Sequence, residues 1–207
     1  LYAENPAVTA QAHQLFVENE AQLPKLPAAI RSLVIRNEVE HFGSPELFDR
    51  LLKEYQRTSD ASYKSDLCQA LTATPSLPLI QQLVQQFENA QVIKPQDLRA
   101  WFRGVLANPQ GQGPAWNWIR DEWQWLEDTV GGDMEFATYI TVIAGIFQTP
   151  TRLAEFKAFF EPKLATPGLT REITMDIKVI ETRVALIETE KTAVQAAVAQ
   201  AIKWCDK

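Results

Sequence analysis

Residues 80–87 read IQQLVQQF and residues 98–105 read LRAWFRGV, and these two short stretches decide the fold. In the first, Ile80, Leu83, Val84 and Phe87 fall at i, i+3, i+4 and i+7; in the second, Leu98, Trp101, Phe102 and Val105 repeat that spacing. The interval lines up one face of a helix, and nothing comparable alternates with the period of two that a half-buried strand needs. Outward from this centre the pattern recurs, as at Ile173, Ile177, Ile180, Val184 and Ile187. Helix-opening chemistry stands between the stripes. Ser44-Pro45-Glu46 and Thr149-Pro150 each offer a hydroxyl N-cap followed by proline at the first helical position, where its missing N–H costs no hydrogen bond. Pro27, Pro95 and Pro114 read as further openings. Breaks at Pro24, Gly43, Ser59, Pro75, Lys94, Pro109 to Gly113, Gly131-Gly132, Thr149 and Pro167 divide the chain into about ten or eleven helices of roughly 12 to 18 residues.

Short links between amphipathic helices force consecutive helices to lie antiparallel, and a series of such hairpins stacks into a bundle or a curved solenoid. Ten-odd helices are too many for one simple bundle, and no strict sequence period is present. The expected architecture is therefore all-α: an irregular, HEAT-like α-solenoid of about ten or eleven antiparallel helices, with residues 1–207 as a single helical domain. Residues 169–207 contain neither Gly nor Pro and read as one long closing helix, or as two with a bend near Thr189.

Composition narrows the function. The chain has 207 residues, 46% of them hydrophobic, yet no apolar run approaches the roughly 18 residues that cross a bilayer, so no membrane role is expected. Twenty Lys and Arg against 26 Asp and Glu give a net charge of -6, the wrong sign for a partner built on a phosphate backbone. Nucleic acid is accordingly excluded as an expected partner. Cys68 and Cys205 lie far apart and read as free thiols of a reducing, cytoplasmic compartment. The chain opens LYAENPAVTA, with no basic and apolar leader and no initiator Met, which suggests a piece of something longer.

Candidate chemistry is sparse. Residues 116–125, WNWIRDEWQW, carry four of the six tryptophans. On a helical wheel Trp116, Ile119, Trp123, Leu126 and Val130 share one face while Trp118 and Trp125 share another, the mark of a helix sandwiched between neighbours. Glu38, Glu40 and His41 bring acids beside a histidine, but their helical spacing does not converge on a metal, and a solvated helix end is the better reading. Arg99, Arg103, Arg120 and Arg171 are cations able to bind a peptide C-terminal carboxylate bidentately, although such residues more often form surface ion pairs. No P-loop, dinucleotide fingerprint or nucleophile elbow is present. A hydrolase built on His41 or Cys68 lacks a partner base.

An ordered series of short motifs adds a family. Phe42-Gly43-Ser44-Pro45 leads into a helix; Tyr63-Lys64 precedes Leu67 and Ala70-Leu71-Thr72; then come Pro95-Gln96-Asp97 and Asn108-Pro109-Gln110-Gly111 followed by Ala115-Trp116. Trp123 and Leu126, Phe147-Gln148-Thr149, Leu153-Ala154-Glu155-Phe156, Phe159-Phe160, Arg171, Ile180-Glu181 and Trp204 complete it. In this order, over about Arg36 to Lys207, the chain resembles the C-terminal helical domain of the M1 zinc aminopeptidases, the aminopeptidase N group that includes the endoplasmic-reticulum aminopeptidases. The resemblance implies a stack of short helices capping the catalytic domain of the same polypeptide, enclosing an active site that trims peptide substrates from the N-terminus.

The zinc cofactor implied by the resemblance belongs to that absent catalytic domain. Its ligands, its HExxH motif and its GAMEN substrate strand have no matching positions here, so no catalytic or metal residue carries over. Gly132-Asp133-Met134-Glu135-Phe136 is a faint GAMEN look-alike, but its last Asn is replaced by Phe136, and Glu135 reads as a first-turn helix acid. The four arginines remain as candidate contacts with the peptide chamber. Without the resemblance, a free-standing helical-repeat adaptor fits the same features.

Overall fold

The computed structural model describes residues 5–132 and 136–205, apart from the side chain of Cys205. Asp133, Met134 and Glu135 of the GAMEN look-alike, and the Cys205 thiol, lie outside the described set. Among the described residues there are eleven α-helices and no strand, as the periodicity requires. They are α1 (Pro6–Asn19), α2 (Ala28–His41), α3 (Pro45–Arg57), α4 (Ala61–Leu71), α5 (Leu77–Val84), α6 (Pro95–Ala107), α7 (Gln112–Asp121), α8 (Trp123–Val130), α9 (Thr138–Ile146), α10 (Pro150–Phe160) and α11 (Thr170–Cys205). Short 3-10 segments, Glu20–Lys25 and Glu161–Lys163, follow α1 and α10.

The helix starts are made by the chemistry read from the sequence. Ser44 Oγ accepts from the Leu47 N–H at 3.2 Å, and Thr149 Oγ1 accepts from the Arg152 N–H at 3.2 Å, each satisfying one orphan donor of a first turn. Asp60 does the same for α4, accepting from Ser62 N–H at 2.9 Å and Tyr63 N–H at 3.1 Å. Pro95 opens α6, Pro27 stands just ahead of α2, and Pro114 sits within the first turn of α7, where no intrahelical N–H is missed.

Two expectations about lengths change. The helices are more unequal than 12 to 18 residues: α5 and α8 have 8 residues each while α11 has 36. The tryptophan segment is two helices, because Glu122 leaves helical geometry at φ -107°, ψ 20°. Helix-type bonds run up to and away from it, Glu122 N–H to Trp118 O at 2.8 Å and Leu126 N–H to Glu122 O at 2.9 Å, so the chain bends without a loop. Both aromatic faces are nevertheless packed: Trp116, Trp118, Ile119, Trp123 and Leu126 are buried. Of the two readings of the C-terminal stretch, the continuous helix holds, with Thr189 Oγ1 donating to Ala185 O at 2.9 Å inside it.

The residues form two compact units, Leu1–Val130 and Gly131–Lys207. In the first, α1 packs on α2, α3 on α4 and α5 on α6, while α2 packs on α4, α4 on α6 and α5 on α7. This i-to-i+2 stacking of hairpins is compatible with the expected irregular α-solenoid. Its core holds Ile35, Leu51, Leu67, Ile80, Leu98 and Phe102, with the Tyr55 ring edge-on to Trp101 at 4.8 Å. Arg31, only 4% exposed, donates from Nε to Asp66 Oδ2 at 2.5 Å, from Nη1 to Pro24 O at 3.0 Å and from Nη2 to Ser62 Oγ at 3.0 Å. One guanidinium thus ties α2, α4 and the turn after α1.

In the second unit α11 packs against α9 and α10. Phe147, Phe156, Phe160, Ile173 and Ile180 are fully buried there. Arg183 Nη1 donates to Ala144 O at 2.5 Å and Phe147 O at 2.8 Å, satisfying carbonyls that the end of α9 leaves open. Lys157 Nζ reaches Glu181 Oε1 at 2.5 Å and joins α10 to α11.

Candidate functional site

Stacking hairpins in register leaves α2, α4 and α6 parallel, with their C-terminal ends side by side. A cleft of about 440 Å³ opens there, lined by Arg36, Glu40, Gln69, Thr72, Gly104 and Asn108 among others. The negative ends of three helix dipoles converge on this rim. Its walls are held by a small set of hydrogen bonds. Asn108, the residue closing α6, donates from Nδ2 to Thr72 O and Thr74 O at 2.8 Å each, and its Oδ1 accepts from the Gln110 N–H at 2.9 Å. Thr72 Oγ1 donates to Cys68 O at 2.8 Å. Gly104 permits the approach of α6 to α4, since a Cβ there would lie 2.4 Å from Thr72 Oγ1. Arg36 grips Glu40 one turn on, Nη2 to Oε1 at 2.8 Å. The cleft thus mixes these braced polar groups with the apolar Ala73, Pro75, Ala107 and Pro109.

Its surroundings carry no poised nucleophile. Cys68 is buried against the core, and desolvation, helped by the charge of Asp97, pushes its thiol up to about 12, so it stays protonated. Burial likewise raises the Tyr55 and Tyr63 hydroxyls well above the usual range, and each donates to a carboxylate: Tyr55 to Asp97 Oδ2 at 3.0 Å, Tyr63 to Glu54. These are locked structural phenols.

The acids near His41 do not assemble a metal site. Glu38 is only 6% exposed and turns away to His13 on α1, with Oε2 2.7 Å from Nδ1, while the His13 ring stacks on Phe42 at 4.0 Å. The solvated helix end expected there is correct for the exposed His41 but not for Glu38, because α1 covers that face. Among the described residues no three His, Cys, Asp or Glu side chains stand together as metal ligands. The described residues therefore supply no donor set that fits a zinc ion.

The four candidate arginines lie on three helices. Arg99 and Arg103 stand four residues apart on α6, the first half-buried and the second exposed. Arg120 is exposed on α7, its guanidinium 5.1 Å from the Trp116 ring centroid and bonded to Asn117 Oδ1 at 2.5 Å. Arg171 is exposed on the first turn of α11, in the other unit. The cleft itself was not read from the sequence. Its one visible signal was Asn108-Pro109, an amide able to cap a helix end followed by a residue that stops the helix.

No helix of the described residues is long and apolar enough to cross a membrane. The model of the family described as the ERAP1-like C-terminal domain matches residues 1–182. Aminopeptidase N of Lactobacillus helveticus is 60% identical over 202 residues, which is 98% of this chain and 24% of that protein. Aminopeptidase N of Lactococcus lactis subsp. lactis (strain IL1403) is 39% identical over 199 residues, 96% of this chain and 23% of that protein. Glutamyl aminopeptidase of Bos taurus is 30% identical over 150 residues, 72% of this chain and 16% of that protein. The chain thus spans about a quarter of the length of the aminopeptidase N relatives it matches. With its model matched over residues 1–182 of 207, the chain belongs to the ERAP1-like C-terminal domain family.

Proposed function

We propose that this chain is the non-catalytic C-terminal helical domain of an M1-family zinc aminopeptidase, a cytoplasmic enzyme that removes N-terminal residues from peptides. The supporting observation is the 60% identity to an aminopeptidase N across nearly all of this chain but only 24% of that protein. In this reading the two units act as one domain, and zinc and the catalytic groups reside in the rest of the polypeptide.

The domain works by enclosure. Two-layered helices held by buried ties such as Arg31 with Asp66 resist deformation, so the surface they present to the catalytic domain keeps its shape. A closed chamber excludes bulk water from the reacting groups and admits only peptides that fit. Arg99, Arg103, Arg120 and Arg171 are the candidate contacts for the far end of such a peptide, where a carboxylate needs neutralising.

The test uses the full-length enzyme and a ladder of peptides sharing one N-terminal residue. Alanine at each of the four arginines in turn is expected, for at least one of them, to change how kcat/KM depends on peptide length while leaving a single-residue chromogenic amide unaffected. An unchanged length profile in all four variants would remove the arginines from the chamber. Native polypeptide of the fragment's own size, 23.4 kDa, without aminopeptidase activity would refute the domain reading as a whole and favour an adaptor.

A further inference from the structure

We propose that Asp176 makes the seam between α9 and α11 acid-responsive: its ionised carboxylate weakens the packing there, and taking up a proton strengthens it. The inference concerns the second unit alone and stands apart from the enzymatic reading. Ile173, Asp176 and Ile180 fall at i, i+3 and i+7 on α11, the spacing of one helix face, and the two isoleucines are fully buried. Asp176 is itself only 5% exposed, and it is covered more closely than Ile177, which the apolar periodicity assigns to the same stripe. A carboxylate thus occupies a core position of the seam.

Its surroundings do not neutralise it. The hydrogen bond it receives comes from Thr141 Oγ1 on α9, which donates to Oδ2 at 2.9 Å. α9 carries no charged residue, and its sole ionisable side chain is Tyr139. On α10, Arg152 pairs with Glu155 at 2.6 Å and Lys157 with Glu181 at 2.5 Å. On α11 itself Lys178 also pairs with Glu181, at 2.9 Å, Arg183 is bonded to the carbonyls that end α9, and Glu172, one turn before Asp176, adds a second negative charge. Among the described residues no cation pairs with Asp176. Burial disfavours a charge that nothing pairs. It pushes the Asp176 carboxyl above its ordinary value; the Thr141 bond opposes that shift and the Glu172 charge adds to it. The folded chain therefore holds this proton more firmly than the unfolded chain, so the hold of the seam falls as the pH rises through the folded value and recovers on acidification. Glu181, five residues on, has the opposite sign because two lysines grip it. An amide or apolar side chain would fill the place of Asp176 without that cost, so what the carboxylate adds is a response to protons.

The test is hydrogen exchange at residues 139–146 and 173–184 of the full-length enzyme between about pH 4.5 and 8, wild type beside Asp176→Asn and Thr141→Val. Each variant's rate is divided by the wild-type rate at the same pH, which cancels the intrinsic pH dependence of exchange. At neutral pH Asp176→Asn is expected to exchange about threefold more slowly than wild type, and Thr141→Val, which loses the donor to the carboxylate, about threefold faster. Both ratios move toward one as the pH falls, while α4 in the first unit stays at one throughout. A ratio independent of pH in either variant would overturn the proposal. So would Asp176→Asn exchanging faster than wild type at neutral pH, which would make the ionised carboxylate a stabilising acceptor, and so would an equal change at α4, which would place the effect outside the seam.

Discussion

Replacing Asn108 by alanine removes the bracket that closes one wall of the cleft. Its amide supplies two donors, one to Thr72 O and one to Thr74 O at 2.8 Å each, and no neighbouring group in those bonds can rotate to take over. A net 0.5–1.5 kcal/mol per bond puts the loss at about 2 kcal/mol, moderated because the cleft is open and water can reach the freed carbonyls. For a chain of this size each kcal/mol moves the melting temperature by about 2–4 °C, so Asn108→Ala should melt about 4–8 °C lower. Asn108→Asp is the sharper comparison. It keeps an oxygen to accept from the Gln110 N–H, bonded at 2.9 Å, but sets a carboxylate against two carbonyl oxygens and should be at least 1 kcal/mol worse than alanine. Urea unfolding and thermal melts followed by circular dichroism measure both variants, with hydrogen exchange at residues 73–76 reporting the local opening. If aspartate proved as stable as alanine, or both stayed within about 0.5 kcal/mol of wild type, the amide would not be bracing the α4 terminus.

Gly104→Ala places a Cβ 2.4 Å from Thr72 Oγ1 and 2.9 Å from its Cγ2, so neither arm of the branched side chain can turn away, and a loss of about 1–3 kcal/mol is expected in urea unfolding. Adding Thr72→Ala should recover part of that loss, a coupling that a double-mutant cycle reads directly. Arg31→Met strands the Asp66 carboxylate, 8% exposed, and should cost about 3–5 kcal/mol, whereas Arg31→Met with Asp66→Leu regains most of it. In the second unit, hydrogen bonds from Lys157 and then Lys178 hold the Glu181 carboxyl down at about 2. Its folded value lies below the unfolded one, so its contribution is complete above about pH 4.5 and is lost as the pH falls toward 2. The stability difference between wild type and Glu181→Gln should therefore shrink over that interval, and a difference independent of pH would refute the pairing.

The helices were legible wherever one residue could act alone. Ser44, Thr149 and Pro95 mark starts through bonds or missing bonds within a single turn, so no tertiary partner is needed to see them. Lengths were less legible because they depend on what the neighbours cover. Nothing local distinguishes Glu122 from a mid-helix residue, yet the chain bends there to bury Trp118 and Trp123 on different surroundings. The cleft was illegible for the same reason. Arg36, Thr72, Gly104 and Asn108 are scattered in sequence and meet only when α2, α4 and α6 stack. Glu38 shows the converse: grouped with His41 by sequence, it is claimed by His13, 25 residues earlier.

The enclosing role is decided by comparing the full-length aminopeptidase with the same enzyme lacking residues 1–207, on a series of peptides of increasing length and on a single-residue chromogenic amide. Enclosure predicts that the deletion leaves a zinc-dependent enzyme that still cleaves the amide but loses its length preference and accepts longer or bulkier peptides. An unchanged length profile in a folded, zinc-loaded truncated enzyme would contradict it.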